Sequence, residues 1–153
     1  MALFNVRVYG LLINERDELL ITDEQEYGMR FTKFPGGGLE LGEGLTEGLK
    51  REFMEECNAE IVVLSHFYTT DFFVKSAFND TQVISVYYLI KNISDLTFPV
   101  KTKLFDFDKV EGEGEGDGDL LQSFRWLKLS EISAADFTFP TDKHVAELLI
   151  KKS

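Results

Sequence analysis

GGLELGEGLTEGLKREFMEECNA, residues 37–59, is the stretch around which the rest of the chain can be ordered. From Gly44 to Cys57 the apolar residues Leu45, Leu49, Phe53 and Cys57 recur at every fourth position. That is the spacing of a buried helical stripe, so the segment is predicted to be a helix. Asn58 is its natural C-terminal stop, because Asn tolerates the left-handed conformation better than most residues other than Gly. Just ahead of it, Pro35-Gly36-Gly37-Gly38 cannot comfortably continue a regular element, which predicts a backbone loop there.

Outward from this helix the pattern is mostly β. Val6, Val8, Leu11, Leu12 and Ile13, then the polar Asn14-Glu15-Arg16-Asp17, then Leu19-Leu20-Ile21 read as an opening hairpin. Met29 to Phe34 reads as a further strand, and others are predicted around Ile61 to Phe67, Phe72 to Val74, Gln82 to Ile90 and Ser123 to Leu127. Thr141 is read as the cap of a last helix through Lys151, with Val145, Leu148 and Leu149 on one face. Strands, helix, strands, helix is the order of a mixed-sheet α/β sandwich rather than of a doubly wound parallel sheet. Residues 109–119 alternate acid with glycine, can neither bury a face nor stiffen themselves, and are expected to form a mobile surface loop.

With 153 residues, among them 14 Phe, 5 Tyr and one Trp, a single domain over 1–153 can bury a substantial core. The formal net charge of −11 opposes the phosphate backbone of a nucleic acid, so a polymer partner is not expected. A small phosphorylated ligand remains compatible, because cations held by acidic residues reverse the local potential. Cys57 stands alone, which fits a reducing compartment, and one cysteine with two histidines makes a poor zinc site. The run Met1 to Arg7 has no basic segment followed by an apolar one, and no stretch approaches the roughly 20 apolar residues that cross a bilayer. A soluble, cytoplasmic protein with no membrane partner is therefore expected.

On a helix advancing about 100° per residue, Glu52, Glu55 and Glu56 fall within an arc of about 100°. Such an oxygen-rich cluster binds Mg²⁺ or Mn²⁺; the plainer alternative is a solvated acidic face. Gly48, one turn before Glu52, adds no side chain that would obstruct a ligand.

Gly37, Glu43, Arg51-Glu52-Phe53, Glu55-Glu56 and Asn58-Ala59, led in by Pro35-Gly36-Gly37, resemble the signature of the Nudix hydrolases. Asn58 stands where the family has glycine, Phe53 replaces an aliphatic residue, Ala59 is a small final apolar residue, and Gly48 replaces a common alanine. None of these departures removes a carboxylate. The resemblance implies a Nudix-type α/β/α sandwich with a mixed β-sheet, in which the box forms a loop, a helix and a second loop. It also implies a metal-dependent pyrophosphohydrolase, using Mg²⁺ or Mn²⁺, that cleaves a diphosphate linkage in a nucleoside di- or triphosphate derivative. Glu52, Glu55 and Glu56 would hold the cations, with the carbonyl of Gly36 as a further ligand. Glu52 is the expected base that takes a proton from the attacking water. Arg51 and Glu43 are expected to support the site by orienting its carboxylates, the alternative being an exposed ion pair worth under about 1 kcal/mol. Glu111, Glu113 and Glu115 are candidates for a ligand or base supplied by a distant loop.

The substrate is less legible. Phe31, Phe34, Phe67, Tyr68, Phe72 and Phe73 could stack on a base, although at strand spacing an aromatic more often belongs to a core. The residues past the box, Phe73-Val74-Lys75-Ser76-Ala77, lack the proline or tyrosine that marks some of the family's substrate classes. The implied partner is a small nucleotide-like diphosphate, and a homodimer is an open option. Two competing readings are a catalytically weak Nudix-fold sensor of nucleotide ligands and an isoprenoid diphosphate isomerase. The second would need a catalytic cysteine, whereas Cys57 lies on the apolar stripe.

Overall fold

The computed structural model describes residues 3–108 and 120–152, so the acidic stretch at 109–119, with Glu111, Glu113 and Glu115, lies outside the described residues. In chain order the elements are β1 (Phe4–Leu12), β2 (Glu18–Glu26), β3 (Met29–Lys33), β4 (Gly36–Gly38), α1 (Leu45–Cys57), β5 (Ile61–Thr69), β6 (Gln82–Asn92), β7 (Val100–Lys101), β8 (Leu121–Lys128), a short 3₁₀ turn (Ala134–Asp136) and α2 (Pro140–Lys152). They fall into two units, Met1–Asn14 with Pro35–Thr97 and Glu15–Phe34 with Phe98–Ser153. Among the described residues each contains one four-stranded mixed sheet and one α-helix, in keeping with the α/β class expected from the element order.

In the first unit the strand order is β4-β1-β6-β5. β1 runs parallel to β6, and β4 and β5 run antiparallel to their neighbours. Every residue of β1 from Val8 to Leu12 is buried, the pattern of a strand covered on both faces. α1 packs close to this strand at Gly10, where an added Cβ would come within 2.5 Å of Ile90 Cδ1 and 2.7 Å of the Phe53 ring. Leu49, Phe53 and Cys57 of the expected stripe are buried, and Leu45, at the first turn, is half-buried. Asn58 closes the helix in the left-handed conformation (φ 48°, ψ 41°), its N–H donating to the Met54 carbonyl at 3.1 Å.

Four local expectations are corrected. β1 and β2 do not form a hairpin, because both edges of β1 are filled by β4 and β6; the Asn14–Asp17 turn instead leads from one sheet to the other. The hairpin that does form joins β2 to β3 through Tyr27 and Gly28, both at positive φ (51° and 74°), as a two-residue type I′ turn requires. Gly36-Gly37-Gly38 is a strand rather than a loop, with Gly36 opposite Tyr9, Gly37 opposite Val8 and Gly38 opposite Arg7. Phe72 to Val74 is not a strand: it meets β6 through an isolated bridge from Lys75 to Gln82 and a bond from the Val83 N–H to the Val74 carbonyl, not through a ladder. Finally, α2 begins at Pro140, whose fixed φ suits a first turn, so Thr141 is a buried residue inside the helix and not its cap.

The second unit has the order β3-β2-β8-β7. Its packing includes the stacked rings of Phe34 and Phe137 (4.4 Å) and the tilted pair Phe31 and Phe139 (5.2 Å). Two carboxylates are buried on β2. Asp23 accepts from Arg125 Nε and Nη2, from the Thr32 hydroxyl at 2.8 Å and from the Phe105 N–H at 3.3 Å. Glu24 meets Lys33 Nζ at 3.0 Å and the Thr22 hydroxyl at 2.6 Å. Buried charge is tolerated here because each carboxylate is both ion-paired and hydrogen-bonded.

Two glycines distinguish close approach from conformational need. Gly36 has φ 147°, and an added Cβ would sit 2.0 Å from the Val8 carbonyl oxygen; Gly28 has φ 74° but open space around it. Chemical denaturation of Gly36→Ala should show a loss of more than about 3 kcal/mol, and of Gly28→Ala only about 1 kcal/mol. Equal losses would contradict the steric account of β4.

Candidate functional site

The site is built where the end of β4 meets the first three turns of α1. Gly44 precedes the helix in an extended conformation (φ −80°, ψ 167°), and its N–H donates to the Glu47 carboxylate at 3.0 Å. The helix that follows presents Arg51, Glu52, Glu55 and Glu56 on its polar side because Leu49, Phe53 and Cys57 take the buried side.

Arg51 is the hub. Its Nη2 donates to Glu43 Oε1 at 2.7 Å and to the Gly38 carbonyl at 2.9 Å, and its Nε donates to Glu43 Oε2 at 3.0 Å. Its Nη1 donates to Glu52 Oε1 at 3.0 Å and to Glu55 Oε2 at 3.1 Å. Glu40 lies at 3.5 Å. One guanidinium thus draws four acidic residues and a backbone carbonyl together. This explains how carboxylates that would otherwise repel can stay adjacent. The hydrogen bond to Glu43, ahead of the smaller contributions of Glu52 and Glu40, raises the Arg51 pKa well above its ordinary value.

Glycine makes room for the carboxylates. An added Cβ on Gly37 would lie 2.6 Å from the Glu52 carboxyl carbon and from Oε2, so Glu52 rests directly on the bare backbone of β4. The space at Gly48 is not kept open for a ligand, as its lack of a side chain suggested. An added Cβ there would meet Leu39 Cδ1 at 2.8 Å and Glu43 Oε1 at 2.9 Å, so the gap admits Glu43 toward Arg51. Glu43 also accepts the Glu40 N–H at 2.8 Å.

The structure therefore brings Glu43, Arg51, Glu52 and Glu55 together. Glu56 is half-buried one residue further on and is not among the partners of Arg51. Gly36 is held in β4 against Val8 and Tyr9, and the carbonyl that meets Arg51 belongs to Gly38. Among the described residues no three acidic, histidine or cysteine side chains close around one point as a formed metal centre would. The donor set nevertheless fits a hard divalent cation: carboxylate oxygens, one of them lodged in a cradle that a single Cβ would fill. Glu40, Leu39 and the Gly38 carbonyl were not singled out from sequence. The Glu40-to-Glu43 spacing was the available sign of the first.

The aromatic candidates separate. Phe31 and Phe34 are core residues, whereas Phe67 and Tyr68 are half-buried and Phe72 and Phe73 exposed. The Tyr68 hydroxyl donates to Asp71, and burial, reinforced by that carboxylate, pushes its pKa up to about 12.

Arg51 also holds the Glu43 carboxyl below its ordinary value of 4.5. A lowered folded-state pKa contributes stability that is fully present above the unfolded value and is lost as pH falls through the folded one. Denaturant titrations at a series of pH values should show stability declining below about pH 4.5 in the parent chain and less steeply in Glu43→Gln. Identical slopes would contradict the pairing.

Comparison with known proteins follows the same lines. No curated protein sequence matches the chain. Many solved structures do. A NUDIX hydrolase from Nitrosomonas europaea shares 22% identity, with 94% of this chain and 86% of that one covered and a TM-score of 0.66. The MutT protein from Methanosarcina mazei Go1 shares 20%, covering 99% and 96%, with a TM-score of 0.68. An ADP-ribose pyrophosphatase from Streptococcus suis 89-1591 shares 13%, covering 97% and 90%, with a TM-score of 0.60. These likenesses establish the Nudix fold class. The NUDIX domain model matches residues 3–149, and with nearly the whole length matched the chain belongs to the Nudix family.

Proposed function

We propose that the chain is a metal-dependent pyrophosphohydrolase, a single Nudix domain that cleaves a diphosphate linkage in a nucleoside di- or triphosphate derivative. The observation that carries this reading is the cluster in which Arg51 gathers Glu43, Glu52 and Glu55 beside the bare backbone of Gly37. A family of hydrolases and an acidic, glycine-lined cluster on the helix of its signature point the same way. The neighbours described as MutT and as an ADP-ribose pyrophosphatase support a nucleotide-like substrate without choosing one.

Glu52, Glu55 and Glu56, with the Gly36 carbonyl, are the residues that would hold Mg²⁺ or Mn²⁺. The cation, when bound, supplies neutralisation of the diphosphate and lowers the pKa of nearby water. The rest falls to the chain's own groups. Glu52, whose carboxylate is seated on Gly37, would take the proton of an attacking water. The water oxygen bonds to phosphorus, the bridging P–O bond breaks, and its electron pair leaves with the bridging oxygen. Arg51 and Glu43 act as positioning residues: the fork of Arg51 fixes where the carboxylates stand, and Glu43 fixes Arg51.

The test is a product screen over nucleotide sugars, nucleoside triphosphates and dinucleotides with Mg²⁺ or Mn²⁺. On whichever substrate turns over, Glu55→Gln or Glu56→Gln should reduce turnover at least about a hundredfold while the far-ultraviolet spectrum and melting curve stay those of a folded chain. Undiminished activity in both variants would remove the assigned site. Tight binding of one nucleotide with no turnover of any would favour the sensor.

A further inference from the structure

A cavity of about 280 Å³ lies within the second unit. Its lining is apolar at Leu104, Phe105 and Phe137 and charged at Arg125 and Asp136. The Arg125 side chain is sheltered, and one side of its guanidinium is spoken for: Nε and Nη2 donate to the two oxygens of the buried Asp23 at 2.5 and 2.9 Å. Nη1 has no hydrogen-bond partner among the described residues, so the end-on fork of Nη1 with the second N–H of Nη2 is left for another acceptor. Asp136 is engaged on one oxygen alone, Oδ2, which accepts the Ser133 N–H at 2.9 Å.

The walls are fixed in advance. On one side the Phe105 N–H donates to Asp23 Oδ2 at 3.3 Å, and the Arg30 guanidinium lies 5.5 Å from the Phe105 ring centroid. On the other, the segment that carries Asp136 and Phe137 is tied to β3: the Thr32 N–H donates to the Thr138 hydroxyl at 2.8 Å, and the Thr138 N–H to the Thr32 carbonyl at 3.1 Å. A cleft already formed spares a ligand the cost of ordering it. The charges narrow what that ligand is. Asp23 neutralises Arg125, and Asp136 adds a negative charge, so a simple anion would meet an excess of its own sign. A simple cation would leave the fork of Arg125 unused. A molecule carrying both charges gives alternating signs along Asp23, Arg125, ligand and Asp136, while its apolar part meets Leu104, Phe105 and Phe137.

We propose that this cavity binds a small zwitterion, a free α-amino acid with an apolar side chain, its carboxylate on the fork of Arg125 and its ammonium at Asp136. Calorimetric titration of the full chain with leucine and phenylalanine, each beside its N-acetyl derivative and its decarboxylated amine, tests it. The free amino acids should bind, and removing either charge should weaken binding at least about tenfold. Asp136→Asn, which keeps an acceptor for the Ser133 N–H, should weaken the free amino acids about tenfold and leave the N-acetyl compounds unmoved. Ala135→Phe, at an exposed position of the lining, should abolish binding by filling the space. Arg125→Lys keeps a charge for Asp23 but loses the fork and should weaken binding too; if that variant unfolds, Asp136→Asn decides. A folded parent chain that binds neither amino acid would overturn the proposal and leave Asp23 and Arg125 only to pin Phe105. So would binding unchanged in Asp136→Asn, or N-acetyl compounds that bind as tightly as the free amino acids.

Discussion

Several carboxylates within a few ångströms of one another repel, and a helix that carries Glu52, Glu55 and Glu56 beside Glu43 can keep them together only if something positive stands among them. In this chain that is Arg51, whose fork spans Glu43 on one side and Glu52 and Glu55 on the other, with the Gly38 carbonyl between. An exposed ion pair would add little, but Arg51 is largely sheltered and several acceptors share it, so the network fixes geometry more than it adds stability.

That network depends on absent side chains. Gly37 lets Glu52 lie on the strand, Gly48 admits Glu43, and Gly10 brings α1 down onto β1. Each solves a different packing problem.

Most of this helix was legible in the sequence because its signals are local. The four-residue stripe, Asn58 as a left-handed stop and the arc of glutamates need no knowledge of distant residues. Pairing across the chain was not legible. Alternating apolar residues marked β1 and β2 as strands but could not say that β4 and β6 would fill both edges of β1 and so exclude the expected hairpin. Three glycines look like a loop until the Val8 carbonyl is seen 2.0 Å from where a Cβ would stand.

The central claim is that Glu52, Glu55 and Glu56, the first two drawn in by Arg51, form the divalent-cation site. Anomalous scattering from crystals of the chain soaked with Mn²⁺ tests it most directly. The expected result is a peak in coordination range of Glu52 and Glu55 that disappears in Glu52→Gln. A Mn²⁺ peak bound only elsewhere, or one that persists unchanged in that variant, would contradict it.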